Sequence, residues 1–485
     1  MLALATSLGL PPLLAADYHA TPAGAGTGVG TTVGNAVAAS GIATFFNTKM
    51  KAGDRLLLGP GTYQGTSLSL TQGGTAASPK IIEGPADPAT PALFSSTWSI
   101  EMPDTGPTAI SLGSGLTGVT LRNLQIRGYC FALRASSAAA PRSNLIFENI
   151  GIEQVRHGVY FYDCDSLQFT GVRMKRYSKH GFRFELGCDQ VVLRDCVADC
   201  SEGDPVWETK TEIFPFGYIV NKGGTPNTGF LFENCVAKNN IKSNQTVSYT
   251  NGDGFVIEGN SSDVTFRNCQ AIRNQDGGFD LKVRDVKVIG CTAIGHRRDF
   301  RIWTTGTLEN CVAGWSSTAF WGEGGPVTAT NCLFLGHTKY GAEMEADKAD
   351  APVTLVNSII STTPGNTTFK PTIGTVVLQG TMTMPIDQLK TDPRYLAAVE
   401  LGKPAAPTAL AVTPGTGRYD LQWQFSGGAT RYEILRSITP GGPFAVIGSS
   451  STTSFADTSV TPGVTYYYIV TAANAVGRRG GSVPP

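Results

Sequence analysis

Charge is scarce in this chain. Lys, Arg, Asp and Glu make up 16% of its 485 residues, where about 25% is usual for a soluble domain. The 38 basic and 38 acidic side chains cancel. No overall field therefore recruits a polyanion, and an acidic partner must be held by a local basic patch. Nothing in the composition points to nucleic acid. Long hydrophobic runs are missing too. The apolar stretch 1–16, which ends in Leu14-Ala15-Ala16 before Asp17, is too short to span a bilayer, and no other segment is apolar and long enough to do so. It lacks a basic leading region but otherwise reads as the hydrophobic part of a secretory signal, so export is expected. No C-x-x-C pair occurs, which argues against zinc.

What is abundant is glycine, 58 residues or close to twice the usual share, together with Thr, Val and Asn. This suits a turn-rich, all-β extracellular protein. One phrase recurs: Gly252-Asp253-Gly254-Phe255-Val256, Asp276-Gly277-Gly278-Phe279-Asp280 and Arg297-Arg298-Asp299-Phe300-Arg301. Its phenylalanines are 24 and then 21 residues apart. That period fits one coil of a stacked parallel β-solenoid and is too short for most helical arrays. Repeated first strands, such as Gly229–Ala237, Asp263–Ala271 and Val286–Ala293, begin near Gly118, and 17–90 reads as an N-terminal cap.

Ten cysteines suggest disulfides in an exported protein. The spacing argues otherwise for six of them. Cys196, Cys235, Cys269, Cys291, Cys311 and Cys332 fall at one point of successive coils, as a ladder of small apolar thiols. Cys196 with Cys200, or Cys188 nearby, could form one bridge. An Asn recurs just before the Cys or its equivalent (Asn149, Asn234, Asn268, Asn310, Asn331, Asn357), as expected of a bend ladder that tolerates tight turn geometry.

Residues at equal offset from the phenylalanine should stack roughly 4.8 Å apart. Asp253, Asp276 and Asp280 should then converge on one outer face, with Arg301 one coil further on. Three carboxylates beside a guanidinium suggest a hard-cation site next to a base. Arg273, Arg284, Arg297 and Arg298 could reach the same region as substrate-binding groups, and Lys282 as a rival base. His157 and His180 share the Asp253 offset in earlier coils. Two long intervals, near 203–222 and 239–251, carry Trp207, Phe214, Phe216 and Tyr249, which could wall a groove. At Lys403-Pro404-Ala405-Ala406-Pro407 the character shifts to a linker, and alternating strands follow.

The motifs Asn251-Gly252-Asp253-Gly254-Phe255, Asn274-Gln275-Asp276-Gly277-Gly278-Phe279-Asp280-Leu281 and Asp299-Phe300-Arg301 resemble those of polysaccharide lyase family 9, the pectate lyase-like right-handed parallel β-helices. Leu421-Gln422-Trp423, Ala429-Thr430-Arg431-Tyr432-Glu433-Ile434 and Tyr466-Tyr467-Tyr468-Ile469-Val470-Thr471-Ala472 resemble a fibronectin type III domain over Pro404–Pro485, a module that usually serves as a spacer in secreted carbohydrate-active enzymes. The domain plan is thus a signal remnant at 1–16, a β-helix at 17–402, and a linker with a β-sandwich at 403–485.

The resemblance implies a secreted, monomeric, calcium-dependent lyase that cleaves an acidic polysaccharide by β-elimination. Asp253, Asp276 and Asp280 would bind Ca2+, and Arg301 or Lys282 would act as base. Two departures stand out. The family usually has two adjacent aspartates where this chain has Asp276-Gly277, and its lysine base is replaced by Arg301. A glycoside hydrolase or epimerase on the same scaffold, using Asp276 and Asp280, and a non-catalytic adhesive β-helix are the alternatives.

Overall fold

The computed structural model describes residues 15–99, 105–136, 139–200, 215–221, 223–241, 252–344, 352–362, 367–371, 375–424 and 426–480. The secretory reading of 1–14 and the aromatic residues Trp207, Phe214 and Tyr249 lie outside these. Among the described residues, no helix is long and apolar enough to cross a membrane.

The chain winds into a parallel β-helix built of a 15-stranded and a 23-stranded sheet, and every strand pairing within both is parallel. Coiling starts earlier than expected. Asp17–Thr21 pairs with Arg55–Leu58, which pairs with Lys80–Glu83, which pairs with Thr117–Arg122. The segment 17–90 therefore joins the solenoid rather than forming a separate cap. Its helix Ile42–Thr48 buries Ile42, Phe45 and Phe46 against the core.

The repeated phenylalanine builds the interior. Phe182, Tyr218, Phe255, Phe279 and Phe300 stack ring on ring, with centroids 4.7, 4.7, 4.8 and 5.1 Å apart. Truncating one such buried ring costs about 3–5 kcal/mol.

The cysteine ladder runs beside this stack. The N–H groups of Val236, Gln270, Thr292, Val312 and Leu333 donate to the carbonyls of Cys196, Cys235, Cys269, Cys291 and Cys311 at 2.8–2.9 Å. All ten cysteines are buried and none is in a disulfide, so the suggested Cys196 bridge does not form. Parallel neighbours stack about 4.8 Å apart, whereas a disulfide needs Cβ atoms about 3.8 Å apart. The asparagines Asn149, Asn234, Asn268, Asn310, Asn331 and Asn357 all take positive φ, between 47° and 56°. This is the left-handed bend that Asn tolerates better than most residues.

After the last coil, the helix Pro393–Gly402 lies on the outside of the solenoid. Two antiparallel sheets of three and four strands follow, with a core of Leu421, Trp423, Tyr432, Ile434, Tyr468, Val470 and Ala472.

Candidate functional site

Register fixes what faces outward. Val256 pairs with Asp280, Asp280 with Arg301, and Arg301 with Trp321; one position class earlier, Gly277 pairs with Arg298. Asp253 stands two residues before its core phenylalanine, as Gly277 does before Phe279. The side chain of Asp253 crosses to the next coil, where its Oδ1 accepts from Gly277 N–H at 2.5 Å. A Cβ on Gly277 would lie 2.6 Å from that oxygen. A side chain at Gly277 would therefore require the Asp253 carboxylate to shift.

The three aspartates do meet. Asp253 is 5% exposed, Asp276 5% and Asp280 4%. Burial first, then the charges of Asp280 and Asp276, hold the Asp253 carboxyl well above the usual carboxylate range, against the pull of Gly277 N–H and Arg301. Cations lie over this acidic layer. Arg297 Nη1 reaches Asp276 Oδ1 at 3.1 Å, and Arg301 Nη1 reaches Asp276 Oδ2 at 3.5 Å. Arg301 Nε stands 3.6 Å from Asp280 Oδ1. Lys282 Nζ lies 3.4 Å from Asp280 Oδ2 and 2.6 Å from Glu258 Oε1. The side chains of Arg297 and Lys282 are 48% and 28% exposed, against 7% and 5% for Asp276 and Asp280. Arg297 and Lys282 stand further out than Asp276 and Asp280, and the Glu258 carboxylate, 26% exposed, shares the surface with Lys282.

Two tryptophans complete the layer. The guanidinium of Arg301 lies 4.5 Å from the Trp303 ring centre and 5.1 Å from that of Trp321. Trp303 Nε1 donates to Asp280 Oδ1 at 2.5 Å. Sequence reasoning assigned no role to Trp303. The available signal was its offset, three residues past the phenylalanine, which it shares with Glu258 and Lys282.

Calcium takes six to eight oxygen ligands. Here five of the six carboxylate oxygens of Asp253, Asp276 and Asp280 already face N–H donors or cations. Among the described residues, no group of three or more His, Cys, Asp or Glu side chains is arranged to hold a metal ion. The expected calcium set of Asp253, Asp276 and Asp280 is assembled as one cluster, with its oxygens paired to these donors and cations.

The basic residues divide. Arg297 and Arg301 contact Asp276, and Arg298 stacks 5.1 Å over Trp321. Arg284 is exposed on the turn into Val286–Ile289 and joins none of these contacts. Arg273 is a correction. Its guanidinium points away from the carboxylates and binds the carbonyls of Leu401 and Lys403 at 3.2 and 3.1 Å. The expectation that it binds substrate fails because its acceptors belong to the chain itself. Lys282 as a free base also meets an obstacle. Burial works to lower its pKa, but Asp280 and Glu258 more than offset this, and the net shift is upward.

Behind the carboxylates runs a buried polar chain that sequence reasoning missed. Tyr177 Oη donates to Asn240 Oδ1 at 2.5 Å, and Asn240 Nδ2 to Asn274 Oδ1 at 2.8 Å. Asn274 Nδ2 meets His296 Nε2 at 3.1 Å, and His296 Nδ1 meets Asp299 Oδ1 at 2.6 Å. Ser316 Oγ donates to Asp299 Oδ2 at 2.6 Å. Burial, with a contribution from Arg273, lowers the His296 pKa to about 3. His157 and His180 do share the Asp253 column, through Phe216. Their Nδ1 atoms are 2.8 Å apart, and burial holds both well below the ordinary histidine value. They are a neutral packed pair.

No family model matches the chain. A segment of 83 residues is 42% identical to an amylopullulanase of Thermoanaerobacterium thermosulfurigenes, covering 17% of this chain and 4% of that protein. The chain thus spans a small fraction of the curated relatives it matches. An Fn3-like protein from Clostridium thermocellum is 31% identical over 16% of this chain and 88% of its own, with a TM-score of 0.16. Pectate lyase Pel9A is 14% identical, covering 74% of this chain and 78% of its own, with a TM-score of 0.39.

Proposed function

We propose that the outer face of the coils 252–303 is a carbohydrate-active site that takes an acidic, pectate-like polysaccharide and cleaves it by β-elimination. The charge arrangement carries this reading: Arg297 and Lys282 are 48% and 28% exposed, and with the 15%-exposed Arg301 they contact the buried Asp276 and Asp280, beside Asp253. A cationic surface backed by carboxylates suits an anionic polymer and a proton transfer together.

Elimination removes the proton at C5 of a uronate, α to the C6 carboxylate. The C4–O bond then breaks with its electron pair going to the departing oxygen, which takes up a proton from solvent, leaving a C4=C5 double bond. The developing negative charge has to be neutralised. Calcium is what the family resemblance implies for that task, whereas the groups in place are side chains of this chain. Guanidinium groups match a carboxylate in geometry and remain charged. Arg301, held between Trp303 and Trp321, and Arg297 are placed to take the C6 carboxylate. Both currently hold Asp276, one on each oxygen. A substrate carboxylate that draws them away frees Asp276 to accept the C5 proton. Lys282, kept charged by Asp280 and Glu258, adds positive charge rather than serving as base. Arg301 and Lys282 therefore neutralise charge in this reading.

A second reading has one observation in its favour. Burial and two further carboxylates push the Asp253 carboxyl upward, and carboxyl groups whose environments differ also suit acid–base hydrolysis of a glycosidic bond. The C-terminal sandwich, read as a fibronectin type III module, and export of the chain accord with either reading.

Incubation with polygalacturonate and with alginate, with calcium or with chelator, tests both. Elimination gives an ultraviolet-absorbing unsaturated product that Arg301→Ala abolishes, and it should persist in chelator. New reducing ends without that absorbance would favour hydrolysis. Loss of product in chelator would restore a metal to the mechanism. Neither signal on either polymer would sink the proposal.

A further inference from the structure

The C-terminal sandwich joins the β-helix at the turn that leads into the site. Arg273 occupies a left-handed bend, φ 52°, where a large side chain is uncommon. Its backbone N–H donates to Ile294 O at 2.8 Å, its Nε to Asn239 Oδ1 at 3.2 Å, and its Nη1 to the carbonyls of Leu401 and Lys403. Leu401 lies in the last turn of the helix Pro393–Gly402, whose end carbonyls need partners and favour a cation. The helix buries Ala398 with Leu389 against Ile294, Val312, Leu333 and Leu335.

The sandwich grips the same linker from the other side. Asn474 Nδ2 donates to Gly402 O at 2.8 Å and to Gly428 O at 3.1 Å, and Ala405 N–H donates to Gly427 O at 2.9 Å. Both Gly402 and Gly428 are needed at the join. A Cβ on Gly402 would lie 3.0 Å from Ile294 Cγ2 and 3.0 Å from Val476 Cγ1. A Cβ on Gly428 would lie 2.2 Å from Arg273 Cδ. The three residues after Arg273 are already committed to the site. Asn274 enters the buried polar chain, Gln275 N–H donates to Asn240 O at 3.1 Å, and Asp276 N–H donates to Gly252 O at 3.2 Å.

We infer that the C-terminal domain is a docked part of the site's scaffold, with Arg273 as the positioning residue that ties its linker to the turn Arg273–Asp276. A module tethered by a Pro-rich linker would by default move independently. Here the linker is bonded on both flanks. The turn carries Asp276, so the functional consequence, though not the docking itself, rests on the reading proposed above.

The test uses the full chain, as wild type, Gly428→Val and Arg273→Ala. Gly428→Val leaves every β-helix residue in place, and Arg273→Ala leaves the sandwich intact, so one variant covers for misfolding in the other. Small-angle scattering should show a compact wild type and a larger radius of gyration in both variants. A broad-specificity protease should cut 403–407 sooner in both variants. Hydrogen exchange over 273–281 should quicken about tenfold as local opening becomes easier. Weaker polygalacturonate binding by Gly428→Val should accompany these changes. An extended, readily clipped wild type would overturn the docking. Undocked variants with unchanged exchange over 273–281 would overturn the positioning role. Scattering, proteolysis and exchange decide both points even if no acidic polymer binds.

Discussion

The two sides of the coils around Phe279 use much the same polar residue types to opposite ends. On the inner side, Asn240, Asn274, His296, Asp299 and Ser316 form a chain in which each donor meets an acceptor and nothing reaches solvent. On the outer side, Asp253, Asp276 and Asp280 crowd like charges together, and the cations that balance them lie toward solvent. A matched inner chain specifies a structure, because each buried polar group costs free energy unless it is paired. An outer cluster with surplus charge can exchange partners with a ligand. Asn274 and Asp276 are two residues apart and belong to different worlds for that reason.

Four substitutions put this contrast at risk. The largest effect is expected for Asp276→Asn. Turnover of a polyuronate should fall about 10²-fold or more, as for loss of a general base, with the unfolding midpoint little changed. A large loss of stability instead would place Asp276 with the inner set. His296→Leu should do the reverse. It leaves Asn274 and Asp299 each short of a buried partner and should lower unfolding free energy by about 1–3 kcal/mol in urea titrations.

The third change concerns pH. Asp253 binds its proton more tightly folded than unfolded. That contribution is present below the ordinary value near 4 and is lost as pH rises through the raised one. Asp253 therefore adds a downward slope as pH rises above about 4, opposite in sign to the contribution of the buried His157, His180 and His296, whose pKa values burial lowers. Asp253→Asn, which keeps the acceptor for Gly277 N–H, should flatten that slope. Identical slopes would remove Asp253 from the account. The smallest effect is expected for Trp303→Phe, which deletes the donor to Asp280 Oδ1 and keeps a ring beside Arg301. Polymer binding should weaken by about 1 kcal/mol, or roughly fivefold, in a titration at fixed salt.

Much of the solenoid was legible because its signals are periodic. The phenylalanines, cysteines and asparagines repeat once per coil, and stacking turns a linear period into a vertical column. Convergence of Asp253, Asp276 and Asp280 was legible for the same reason. Weaker signals misled. The segment 17–90 coils without the Asn-Cys phrase and so read as a cap. Arg273 read as a substrate ligand because proximity in sequence to Asp276 does not show which way a side chain leaves a bend.

Coil period, aromatic interior and the set of charged residues on one face are properties of the sequence alone, since they follow from spacing and alternation along a single strand register. How those charges pair is a property of the tertiary fold. Gly277 yields its space to the Asp253 side chain, Trp303 caps Asp280, the arginines cover Asp276 where a calcium cage was expected, and Arg273 turns to the linker of the C-terminal domain. Each of these depends on contacts between residues 21 to 130 positions apart, and such contacts are set by folding rather than by local pattern.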